Sequence, residues 1–104
     1  MTNFLFLYHG GGMPDNEEDK AKSMEAWGEW MKQVGENLVD GGNPCSNIMT
    51  VDQSGTMEFS GDRITGYSVV RADDMDSAIK CAQMVPLVVD GTGTVDICET
   101  FPAM

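Results

Sequence analysis

The chain has 104 residues, with 6 lysines or arginines against 17 aspartates or glutamates and a formal net charge of −11. That length suits one domain, 1–104, large enough for a real core, and a composition of 41% apolar and 22% charged residues excludes intrinsic disorder. So few bases, scattered along the chain, cannot build the cationic stripe that nucleic acid or an anionic membrane surface requires, and neither is expected as a partner.

Phe4-Leu5-Phe6-Leu7-Tyr8 is a short apolar run without alternation, stopped by His9 and glycines. It predicts a central strand with both faces covered. The same early break, with no basic segment ahead of it, argues against a signal peptide, and no stretch approaches the roughly 20 apolar residues of a membrane helix. A loop follows through Pro14, and Asp15 or Asn16 is placed to cap a helix whose first turn holds Glu17, Glu18 and Asp19. In that helix Met24, Trp27, Met31, Val34 and Leu38 form an apolar stripe, opposite Glu25, Glu29, Lys32 and Glu36. Gly35 and then Asp40-Gly41-Gly42-Asn43-Pro44 end it in a turn.

Further on, 48–51 and 57–59 flank Asp52-Gln53-Ser54-Gly55 as a hairpin. A strand covers 67–72. Asp73-Asp74-Met75-Asp76 opens a second helix with Met75, Ile79, Ala82 and Val85 on one face, stopped by Pro86. The last strand, 94–101, alternates Val95 and Ile97 with Asp96 and Cys98. With the 48–59 hairpin merged or set aside as a protrusion, the order is βαββαβ, an α+β ferredoxin-like plan. Cys45, Cys81 and Cys98 are odd in number and form no CxxC pair, which fits free thiols and a cytoplasmic home.

Four stretches in order, Phe4 to Tyr8 with its glycines, Trp27-Gly28-Glu29-Trp30-Met31, Leu38 to Pro44, and Gly66-Tyr67-Ser68-Val69-Val70 leading to Asp76-Ser77-Ala78-Ile79, resemble the YCII-related (YciI-like) domains. The resemblance implies a ferredoxin-like protomer that pairs sheet to sheet into a homodimer, a dimeric α/β barrel. It also implies a small-molecule cleft between the loop after the first strand and the helix-to-strand turn. Two features depart from the family. Phe59-Ser60-Gly61-Asp62-Arg63-Ile64 stands where many relatives have Asp-Gly-Pro-Phe, and the sole histidine, His9, follows the first strand instead of lying on the first helix.

His9 is the one side chain whose ordinary titration falls near neutral pH, and the glycines beside it let a ligand approach the backbone. Asp40 sits in the other glycine-flanked turn. His9 is therefore expected as a general acid or base oriented by Asp40, an arrangement worth about 10²- to 10⁴-fold in rate. Gly10, Gly11, Gly12, Trp27, Trp30 and Asn43 are the expected ligand-binding residues. Against this stands a plainer reading, in which His9 bonds a carbonyl and Asp40 braces Gly41-Gly42 through an Asx contact. Trp27 and Trp30 would then be core, although Trp30, rotated about 60° from the stripe, is placed to edge a cleft.

Other motifs carry less. His9-Gly10-Gly11-Gly12 matches a lipase oxyanion loop, but no Gly-x-Ser-x-Gly elbow accompanies it. Asp73-Asp74-x-Asp76 lacks the glycine and distal glutamate of a calcium loop, and the cysteines and single histidine have no zinc-ligand spacing. Gly91-Thr92-Gly93-Thr94 precedes a strand, the wrong context for a nucleotide loop. No metal and no cofactor are expected. The function classes left are a cofactor-independent small-molecule enzyme with a His/Asp pair, or a non-catalytic small-molecule-binding or protein-interaction module.

Overall fold

The computed structural model describes residues 1–11 and 15–103, so Gly12 of the expected ligand loop lies outside the described residues. In chain order the elements are β1 (Thr2–Gly10), α1 (Glu17–Val34), a 3-10 turn (Gly35–Asn37) and β2 (Leu38–Asp40). Then come β3 (Met49–Asp52), β4 (Gly55–Glu58), β5 (Ile64–Ala72), α2 (Met75–Gln83), the single turn α3 (Pro86–Val89) and β6 (Gly93–Glu99). Four strands make an antiparallel sheet in the order β2-β5-β1-β6, and β3 pairs with β4 apart from it. Without that hairpin the chain is α+β with a strand order compatible with the ferredoxin-like plan.

Asn16 is the cap of α1: its Oδ1 accepts the Asp19 N–H at 2.7 Å, ahead of an acidic first turn. The helix ends earlier than its apolar stripe implies. Gly35, at φ +60°, adopts a backbone that only glycine takes without penalty, and Leu38 falls in β2 opposite Val70. Trp27, Met31 and Val34 of the expected stripe pack against the core, but the most buried residue of α1 is Trp30 and Met24 is left out. Trp30 is 2% exposed and Met24 69% exposed, because the Trp30 indole fills the gap over Phe6, 6.4 Å between ring centroids. Its N–H donates to the Cys81 carbonyl at 3.2 Å, so the large ring is buried with its polar atom satisfied.

The second helix is capped by Asp74, which accepts the Ser77 N–H at 2.8 Å. Its buried seam is Ala78, Ala82 and then Val85, and Ile79 is exposed instead. Small alanines let α2 lie close against the sheet. Pro86 does not terminate α2, which has already ended, but opens α3, where a missing N–H is harmless.

The core holds Phe4, Phe6 and Tyr8 of β1, Ser68, Val70 and Ala72 of β5, Trp30, and the α2–α3 seam. Contrary to the expectation that both faces of β1 are covered, Leu5, Leu7 and His9 are only half-buried. The helices cover one face of the sheet and leave the other open. Among the described residues, no helix is long and apolar enough to cross a membrane.

Candidate functional site

Two polar side chains meet on the open face. The β1–β6 register sets Leu7 opposite Asp96 and His9 opposite Thr94, which makes His9 and Asp96 diagonal neighbours on the side away from the helices. His9 Nε2 lies 2.9 Å from Asp96 Oδ2. On its other side, the β1–β5 register shifts between Tyr8 and His9, so that His9 faces Ile64 and its Nδ1 comes to 3.1 Å from the Arg63 carbonyl. The Arg63 guanidinium donates to the Ser46 carbonyl at 2.8 Å, which holds that backbone in place.

Both partners of the ring are acceptors. A neutral imidazole has one N–H and satisfies one of them, whereas the doubly protonated ring donates to both. The His9 side chain is 17% exposed and that of Asp96 70%, so the ring is walled in and its carboxylate partner faces solvent. This is a proton-carrying group positioned on both sides, with a counter-charge through which a ligand proton can be exchanged.

The structure does not bring Asp40 to His9. Asp40 Oδ1 accepts the Gly42 N–H at 2.8 Å, the Asx contact of the plainer reading. Asp40 pairs with Val69, which faces Leu5, so it stands four residues and two strands from His9, about 16 Å by strand spacing. The turn beyond it is packed hard against β5: Gly42 has φ +77°, and a Cβ there would collide with the Tyr67 carbonyl.

Trp27 and Trp30 are likewise separated from His9, because they lie on the helix side of the sheet. Trp27 packs edge-on against Tyr8 at 5.1 Å and against Trp30 at 5.9 Å between centroids. Neither edges the open face. Gly10 and Gly11 stay beside His9 in the chain, but the Gly11 N–H donates to the Thr92 carbonyl at 3.0 Å, so that amide is already occupied. Gly10, at φ +80°, is pressed so close that a Cβ would lie 2.6 Å from the Thr92 oxygen. Asn43 does reach the open face: its Nδ2 donates to the Tyr67 hydroxyl at 3.4 Å, and Tyr67 sits opposite Leu7, next to the His9 row. Around His9 the structure thus places Gly10, Gly11, Asn43, Tyr67 and Asp96, and it sets Asp40 and both tryptophans apart from it.

A buried relay on the other face also escaped the sequence reading. Tyr8 donates to Ser68 Oγ at 2.8 Å, and Ser68 donates to the Gly41 carbonyl at 2.8 Å, tying the Asp40 turn to the core. Burial pushes the Tyr8 hydroxyl up to about 12. Burial also raises the Cys81 thiol above its ordinary value, so it is a poor nucleophile at neutral pH. A shallow groove of about 400 Å³ runs between α1 and α2, over Trp30, Val34 and Cys81, on the face opposite His9. Among the described residues, no three His, Cys, Asp or Glu side chains cluster as a metal site. No protein-family model, no curated protein and no solved structure matches the chain.

Proposed function

We propose that the protein is a YCII-related, cofactor-independent enzyme acting on a small molecule by acid–base catalysis, with the solvent-facing Asp96 carboxylate as the group that meets the ligand's proton and His9, held at both ring nitrogens, as the proton carrier behind it. The observation that carries this reading is the 2.9 Å contact between these two side chains on the uncovered face of the sheet, with the second ring nitrogen held by the Arg63 carbonyl. Tyr67 and Asn43 border the same area and supply a hydroxyl and an amide to orient a ligand. The substrate class consistent with one proton carrier is a small molecule with an ionisable C–H or O–H bond.

The working form in this reading is a cytosolic homodimer. Leu5, Leu7, Tyr67 and Val69 face away from the helices and are only half-buried, so one face of the sheet presents an apolar centre that a second sheet would cover. Covering it would also turn the exposed His9 pole into a cleft. The test is ligand-detected NMR with a panel of small keto acids, phenols and carboxylic acids on the wild type, His9→Gln and Asp96→Asn. The reading expects at least one compound whose binding is lost or weakened tenfold or more in both variants. Binding that is equal in all three proteins overturns it.

A further inference from the structure

The β3–β4 hairpin is not an isolated decoration. Leu38 and Asp40 pair with Val70 and Val69, Pro44 bridges Gly66, and the Cys45 N–H donates to the Thr65 carbonyl at 3.0 Å. Arg63 holds Ser46, and Met49 to Asp52 then pair with Glu58 to Gly55. Residues 38–52 and 55–72 are therefore one interrupted antiparallel ribbon. Its outer part runs about 20 Å beyond the last sheet contact, past the pole that holds His9. All of β4 and all of β3 except Thr50 are exposed, Met49 by 59% and Val51 by 72%. The chain is correspondingly spread out, with a radius of gyration of 15.0 Å against about 13 Å for a compact domain of this length. A two-stranded ribbon standing alone in water is marginal at best.

We propose that this ribbon is a clasp that seats on a second copy of the chain, its Met49/Val51/Glu58 face lying against the Arg71 pole of the partner's open sheet face. The inference rests on the homodimer reading and adds the arm to it. Three observations select a second copy. The register places Met49 opposite Glu58 and Val51 opposite Thr56, so one face of the ribbon combines two exposed apolar side chains with a carboxylate. The open sheet face has a matching pattern: Leu5 and Val69 are apolar, and Arg71, opposite Asn3 and exposed, donates to the Glu36 carbonyl at 3.2 Å at the sheet edge but has no carboxylate partner among the described residues. The acidic helix turns, Glu17 to Asp19 and Asp73 to Asp76, belong to the other layer, so two such faces meet without opposing the acid clusters. A two-fold axis across the strands sets each His9 pole over the other copy's Arg71 pole, so the ribbon leaving the His9 pole passes that arginine, with Glu58 on the outer part within its reach.

The test is a charge swap read by sedimentation equilibrium of the full chain. The wild type should be a dimer; Glu58→Arg and Arg71→Glu should each weaken it by about tenfold or more, and the double swap should restore it to within about threefold. Val51→Lys should weaken it comparably, and amide exchange in 49–58 of the wild type should speed up on dilution below the dissociation constant. Leu7→Lys, on the open sheet face but not on the ribbon, separates the two readings. A dimer broken by Leu7→Lys but untouched by Glu58→Arg and Val51→Lys keeps the homodimer and overturns the clasp. A monomeric wild type overturns both, and single variants that weaken the dimer without rescue by the double swap overturn the Glu58–Arg71 pairing.

Discussion

Tyr8 and His9 are neighbours in the chain, yet their side chains occupy opposite sides of the sheet. The Tyr8 hydroxyl donates to the buried Ser68 at 2.8 Å, while the His9 ring reaches Asp96 on the open face at 2.9 Å. Strand alternation enforces this division. Both tryptophans of α1 therefore pack with Tyr8 on the core side, and the His9–Asp96 pair stands on the face that β1, β5 and β6 present together.

Tyr8 makes the fold sensitive to alkali. Its hydroxyl is raised by burial to about 12 from an ordinary 10.0, so the folded state holds the proton more tightly than the unfolded chain. The associated stability is fully present below pH 10 and is lost as the pH rises through about 12, an effect of order 2 kcal/mol. Urea unfolding at pH 8 and pH 11.5 checks this. The wild type should lose more stability across that interval than Tyr8→Phe, which has no proton to release.

Gly42→Ala should be among the most damaging single-methyl changes in the chain. The new Cβ would meet the Tyr67 carbonyl, and the φ of +77° disfavours any side chain. A loss of about 2–3 kcal/mol is expected from thermal or urea denaturation. Gly28→Ala on the exposed side of α1, where a Cβ meets nothing within 4 Å, should instead be stabilising by up to about 1 kcal/mol.

Trp30→Phe tests the place of Trp30 at the centre of the buried side of α1. It removes the indole donor to the Cys81 carbonyl and part of the contact with Phe6, and should cost about 1–3 kcal/mol. Met24→Ala, at a position 69% exposed, should change stability by no more than about 0.5 kcal/mol. Equal losses for the two would contradict the burial of Trp30 in place of Met24.

Local signals in the sequence translated well, and relations across strands did not. The Asn16 and Asp74 caps, the turn at Asp52 to Gly55 and the Asx contact of Asp40 each span two to four residues, so composition suffices to see them. Leu38 misled because its spacing of four from Val34 suits a continuing helix as well as a new strand. Only the Gly35 conformation decides between them. The His9–Asp96 pair is separated by 87 positions, and its two members can be matched only once the register of β1 against β6 is known. The alternation of Val95 and Ile97 with Asp96 and Cys98 already marked Asp96 as outward-facing. What it lacked was the identity of the strand beside it.

The most direct test follows the carboxyl carbons of Asp96 and Asp40 by NMR through the titration of His9, in the wild type and in His9→Gln. The Asp96 carboxyl signal should inflect at the same pH as the His9 ring protons, this inflection should vanish in His9→Gln, and Asp40 should show none there. An Asp96 signal indifferent to His9, or an Asp40 signal that follows it, would contradict the His9–Asp96 pairing.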